Sequence, residues 1–89
     1  MKATRITDKL LETTGWRQIG TTDTYHRWLI QWNGSQFVTL YQRRDLGTWS
    51  VRYRGYYIQG FEFASQLDDA IALLERWGVL KPREDIINN

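Results

Sequence analysis

The stretch Tyr25-His26-Arg27-Trp28-Leu29-Ile30-Gln31-Trp32-Asn33-Gly34-Ser35-Gln36-Phe37-Val38-Thr39-Leu40-Tyr41-Gln42 decides how this chain folds. Asn-Gly between two runs rich in β-branched and aromatic residues is the strongest short hairpin signal, because a type I′ turn needs positive φ at both central positions. With that turn Trp32 faces Ser35, Ile30 faces Phe37, Trp28 faces Thr39 and His26 faces Tyr41. The other side of the ribbon pairs Gln31 with Gln36, Leu29 with Val38 and Arg27 with Leu40. Strand side chains alternate with period two, so this register assigns each of them to a face.

Downstream, Asp45-Leu46-Gly47 suits a three-residue loop with glycine in the bulge position. It sets Arg43 against Trp49, Tyr41 against Val51, Thr39 against Tyr53, Leu40 against Arg52 and Val38 against Arg54. Arg54-Gly55 reads either as a further tight turn into Tyr56–Phe61 or as a bend in one continuous strand. Upstream, Trp16 to Thr22 is a weak strand. Before it the sequence predicts a short helix over Thr7 to Thr14, with Thr4 or Thr7 as N-cap, Asp8 in the first turn and Ile6, Leu10 and Leu11 as a narrow apolar stripe. Gly15 is placed as the left-handed residue that ends it, and Trp16 as the residue folding back on Leu11. A second helix is expected over Gln66 to Trp77. Ser65 is its N-cap, Asp68 and Asp69 lie near its positive end, and Leu67, Ala70, Ile71, Leu74 and Trp77 form its apolar stripe. Gly78 ends it and Val79 folds back on Leu74. The fold class is therefore α+β: an antiparallel meander of four to five strands with an N-terminal and a C-terminal helix packed on one face. Residues 1–81 form one domain and 82–89 a polar tail.

The register yields two unlike faces. Trp28, Ile30, Trp32, Phe37, Thr39, Tyr41, Val51 and Tyr53 make one, apolar enough that burying it at about 25 cal/mol per Å2 outweighs leaving it wet. Two amphipathic helices need such a platform, so this is the core face. The other carries Tyr25, Arg27, Gln31, Gln36, Gln42, Arg52 and Arg54 around an aliphatic strip of Leu29, Val38 and Leu40. Arg27, Leu40 and Arg52 are lateral neighbours there, and Tyr57 is placed to extend the row. The conspicuous tryptophans fall on the core side.

Charge follows the same division. The chain has 89 residues and a formal net charge of only +2. Residues 16–61, however, hold six arginines (Arg17, Arg27, Arg43, Arg44, Arg52 and Arg54) against two aspartates, Asp23 and Asp45. All the central bases are arginine, the residue suited to bidentate and stacked contacts with phosphate, base edges or carboxylates. Arginines flanking a flat apolar strip suit a planar or anionic partner.

Residue inventory argues against catalysis. The chain has no cysteine and a single histidine, so thiolate zinc sites and cysteine nucleophiles are excluded. His26 has only Asp23, Thr22 and Thr24 nearby in sequence, which does not supply a nucleophile and an orienting acid. Asp68-Asp69 is explained by helix-end charge, Glu62 stands alone between Phe61 and Phe63, and Gly55 and Gly60 punctuate strands rather than cradle a phosphate. No enzyme, metal or cofactor is expected. The N-terminal residues have no apolar core of a secretory signal, and no apolar run approaches the ~18 residues of a membrane span. The expectation is a cytoplasmic, soluble protein.

Two resemblances bear on the sheet. Helix, three or more antiparallel strands, helix resembles the order of the double-stranded RNA-binding domain. That family starts its final helix with a lysine-rich motif, whereas this chain has Gln66-Leu67-Asp68-Asp69. Trp49-Ser50-Val51-Arg52-Tyr53, followed by Gly60-Phe61-Glu62-Phe63-Ala64-Ser65-Gln66-Leu67-Asp68-Asp69-Ala70-Ile71, is similar to the last strands and helix of AP2-type and integrase-arm DNA-binding domains. The similarity covers only those two segments. It implies an arginine-bearing three-stranded sheet laid in the major groove.

The sequence thus leads to a non-catalytic nucleic-acid-binding module. Arg27, Arg52 and Arg54 are its main contacts, Arg43 and Arg44 stand at a turn, and Gln31, Gln36, Tyr25 and Tyr57 complete the surface, with DNA or RNA as partner. The rival is a small protein-binding inhibitor or adaptor, such as a phage-type anti-defence protein acting on a host nucleoprotein complex. In that case the aliphatic strip is the hot spot and the arginines pair with acidic groups. Oligomeric state is not legible.

Overall fold

The computed structural model describes residues 3–83; Met1, Lys2 and residues 84–89, most of the expected polar tail, lie outside the described residues. Its elements are α1 (Asp8–Thr13), β1 (Arg17–Thr21), β2 (Tyr25–Gln31), β3 (Phe37–Arg43), β4 (Trp49–Tyr53), β5 (Tyr56–Phe61) and α2 (Ala64–Arg76). The strands form one antiparallel sheet in the order β1-β2-β3-β4-β5. Each link between successive strands is short enough to allow only an antiparallel neighbour, so the chain makes a meander. Both helices pack on one face, and Leu11 of α1 joins Leu67, Ala70, Ile71 and Leu74 of α2 in a core with the inward side chains of the sheet. No helix among the described residues is long and apolar enough to cross a membrane.

α1 ends as its sequence predicts. Thr7 Oγ1 accepts from Leu10 N at 3.1 Å. Gly15 takes φ 101° and Trp16 N donates to Leu11 O at 2.8 Å, which buries the indole. Gly78 does the same for α2 at φ 77°, with Val79 N bonded to Leu74 O at 3.2 Å. The start of α2 differs. It begins at Ala64 with Phe63 as N-cap, so Ser65 is inside the helix and Asp68 and Asp69 lie beyond the first turn. Gln66 causes the shift: its Oε1 accepts from Glu62 N and Phe63 N, both at 3.0 Å, doing from within the helix what a cap side chain would do from outside. The segment before α1 also holds this corner, with Ile6 N donating to Glu62 O and Ala64 N to Thr4 O. Trp77, expected in the core stripe, is the helix C-cap. It is half exposed and its ring lies 5.6 Å from that of Tyr56.

The hairpin at Asn33-Gly34 departs from the expected register by one residue. Ile30 pairs with Val38, Trp28 with Leu40 and His26 with Gln42, while Gln31, Leu29 and Arg27 pair with Phe37, Thr39 and Tyr41. Neither Asn33 nor Gly34 adopts positive φ, so this is no type I′ turn. Asn33 instead turns its side chain inward, its Oδ1 accepting from Ser35 N at 3.1 Å and Gln36 N at 3.0 Å. The connection becomes five residues long, closed by Trp32 N to Gln36 O at 2.8 Å. Gln36 is drawn in with it: its Nε2 donates to Tyr53 OH at 2.6 Å and Val79 O at 3.1 Å, and its Oε1 accepts from Lys81 N at 2.8 Å and Asn33 Nδ2 at 2.6 Å.

The next turn slips by one as well. Leu40 pairs with Val51 and Thr39 with Arg52, around a four-residue loop whose Gly47 has φ 71°. The two slips together turn β3 over while leaving β2 and β4 facing the same way. Val38 and Leu40 are fully buried in the core, and the expected exposed aliphatic strip is reduced to Leu29. Gln42 moves to the helix side between His26 and Trp49. Phe37, Thr39 and Tyr41 are on the open face instead. Arg54-Gly55 makes the two-residue turn between β4 and β5, and Gly60, at φ 89°, supplies the extra residue where β5 bulges opposite Trp49 and Ser50.

Candidate nucleic-acid interface

Strand partners that sit directly opposite point to the same side of a sheet, so the pairings define the face that the helices leave uncovered. One row runs Arg17, Leu29, Thr39, Arg52, Tyr57 across all five strands. The next runs Gly20, Arg27, Tyr41, Ser50, Gln59. Tyr25 and Arg43 pair above them, and Gln31 and Phe37 below. None of these positions is acidic.

The face is hollowed between β2 and β5. A depression of about 360 Å3 is lined by Tyr25, Tyr41, Arg52, Arg54, Gly55 and Tyr57. A second, about 330 Å3, adjoins it and is bordered by Arg43, Ser50 and Gln59 among others, sharing Tyr25 and Tyr57 with the first. In a flat sheet β2 and β5 stand about 14 Å apart, so the two shared tyrosines are the opposite walls. Tyr41 meets Tyr25 edge to face, with ring centroids 5.7 Å apart at 82°. Ser50, small and buried although it points to the open side, forms part of the floor.

The arginines differ in how free they are. Arg52 is exposed and makes no ion pair or hydrogen bond among the described residues. Arg43 donates from Nε to Asp45 Oδ1 at 2.9 Å, but both side chains are about half exposed, and such surface pairs hold weakly. Arg54 has the left-handed φ of 54° that the tight turn requires, and its guanidinium carbon lies 5.3 Å from the centroid of the Tyr53 ring. Arg27 lies across Gly20, whose missing Cβ would stand 2.9 Å from Arg27 Nη2. Arg27 Nε is buried there with no partner among the described residues. Arg44 is tied down, its Nη1 donating to Thr22 O at 3.0 Å and its backbone N–H to Thr24 O at 2.8 Å. It holds the β3–β4 loop against the β1–β2 turn.

Of the residues singled out from sequence, Arg27, Arg52, Arg43, Gln31, Tyr25 and Tyr57 share the open face and Arg54 borders it at the turn. Gln36 does not: it belongs to the buried network under the end of the sheet. Tyr41 and Phe37 were missed because β3 is turned over relative to the expected register; Ser50 of β4 faces the same side in either register and carries no signal of its own. His26 packs on the other side, its Nδ1 3.1 Å from Thr21 Oγ1. No protein-family model, curated protein or solved structure matches the chain.

Proposed function

We propose that this chain is a non-catalytic binding module that holds nucleic acid on the open face of its sheet. One observation carries the reading: a hollow walled by tyrosines is ringed by Arg43, Arg52 and Arg54 on a face whose strand positions bear no carboxylate, Asp45 of the neighbouring loop being bonded to Arg43. Arginine supplies phosphate contacts, which provide most non-specific affinity and make it fall with salt. The test is fluorescence anisotropy with labelled DNA and RNA at 50 and 200 mM salt. Binding that weakens steeply with salt, and is abolished by Arg43→Glu with Arg52→Glu, is the expected result. Both residues are exposed, so the double variant folds. Absence of binding to any nucleic acid at low salt refutes the reading.

A second reading, a small protein-binding inhibitor or adaptor, is favoured by a different surface. Tyr56 and Trp77 form an exposed aromatic pair on the helix side of the sheet, and such residues anchor protein interfaces. On this reading Trp77→Ser abolishes partner binding while the arginine substitutions do not.

A further inference from the structure

Resting on the nucleic-acid reading, we infer that the hollow between Tyr25 and Tyr57 takes a single strand, DNA or RNA, with unpaired bases stacked on the tyrosine rings. Arg43, Arg52 and Arg54 then contact its phosphates.

Three features separate this from duplex binding. First, the middle of the face is aromatic and hollow. A sheet that reads the major groove presents donors and acceptors outward to base edges, whereas here Ser50 forms a buried floor and Tyr25, Tyr41 and Tyr57 stand around it. Duplex bases are stacked on one another and offer no free ring face; unpaired bases do. Second, the two adjoining depressions, about 360 and 330 Å3, fall at the low end of the range of about 300–1,000 Å3 for small-ligand sites. That scale suits nucleotide units rather than the edge of a double helix. Third, three arginines of this face border the hollow. Arg43 and Arg52 flank the hollow from β3 and β4, and Arg54 closes it at the turn. A cationic track beside stacking rings is the arrangement that follows a flexible backbone. The negative charge of that backbone also complements a face whose strand positions bear no carboxylate.

The experiment uses the full chain and labelled strands of about 12 nucleotides, within the site sizes typical of single-strand binders. These are mixed-sequence DNA, the same sequence as RNA, the matching DNA duplex, and a strand of abasic units that keeps the phosphates and lacks the bases. The natural single strands are expected to bind at least about tenfold tighter than the duplex, and the abasic strand to lose about 5- to 150-fold relative to the natural one, the effect of one stacked base. Three phosphate contacts give log affinity against log salt a slope of about −2 for a single strand. Tyr57→Leu is expected to cost a similar factor on the natural strand and nothing on the abasic one. The abasic comparison uses the unaltered protein, so it stands even where a variant misfolds. A duplex bound as tightly as the single strand, or an abasic strand bound as tightly as the natural one, overturns the inference while leaving the nucleic-acid reading in place. No binding to any of the four overturns both and leaves a protein partner. The DNA and RNA arms identify the sugar.

Discussion

Replacing Leu40 by alanine, and separately Phe37 by alanine, measures which face β3 turns to the core. Leu40 is fully buried and lies between Trp28 on β2 and Val51 on β4, both also buried. A strand flanked on both sides and covered by a helical layer has little room to collapse into the space left behind. A buried leucine cut to alanine costs about 2–5 kcal/mol, the spread reflecting how far a site relaxes, and here about 3 kcal/mol or more is expected. Against a total stability of about 5–15 kcal/mol this is a large fraction. Phe37 is 48% exposed at the start of the same strand, so its truncation removes a half-wet ring and costs about 1 kcal/mol or less.

Urea unfolding followed by circular dichroism reads both values, with an unchanged m-value confirming that the midpoint shift is one of stability. For a domain of this size 3 kcal/mol lowers Tm by about 12–24 °C, well separated from the few degrees expected for Phe37→Ala. A type I′ turn at Asn33-Gly34 would place Phe37 against Ile30 in the core and Leu40 beside Arg27 in solvent, and so reverse the order. A larger loss for Phe37→Ala than for Leu40→Ala refutes the register, and with it the placement of Tyr41 on the open face.

Two further outcomes follow from the structure. Gln36→Leu keeps the size of the side chain but strands Lys81 N–H, Val79 O and Asn33 Nδ2. At about 1–3 kcal/mol for a buried group left unpaired, and with water reaching some of them, urea unfolding is expected to register a loss of about 2–4 kcal/mol; a neutral result refutes the role of Gln36 in setting the turn. Trp77→Ser removes a half-exposed ring at the end of α2, and is expected to cost about 1 kcal/mol or less while leaving the proposed nucleic-acid binding unchanged, because the ring lies on the helix side of the sheet.

What was legible in the sequence divides along the range of the interactions involved. The meander and the stops at Gly15 and Gly78 depend on residues a few positions apart and took the expected form, while the cap at Thr7 and the tight turn at Arg54-Gly55 are each one of the two forms the sequence left open. The start of α2 was displaced by Gln66, a local signal outweighed in the reading by Ser65. β3 is another matter. Its two alternating sets, Phe37-Thr39-Tyr41 and Val38-Leu40-Gln42, are both apolar enough to face a core, so the pattern alone does not choose between them. The choice is made by Asn33 capping its own loop and by Gln36 finding partners on β4 and beyond α2, at Tyr53, Val79 and Lys81. Contacts across 17 to 45 positions of chain leave no local trace.

The functional consequence follows from the arithmetic of the two turns. A one-residue slip at the first inverts β3 relative to β2, and a one-residue slip at the second restores β4. Arg27, Arg52 and Tyr57 were therefore placed on one face correctly, by two displacements that cancel. Only the strand between them changed, and it exchanged Val38 and Leu40 for Thr39 and Tyr41 at the centre of the surface. An aliphatic strip between arginines would suit an apolar partner. A tyrosine-walled hollow between the same arginines suits a flat, anionic one, and that single exchange is what the proposed stacking beside phosphate rests on.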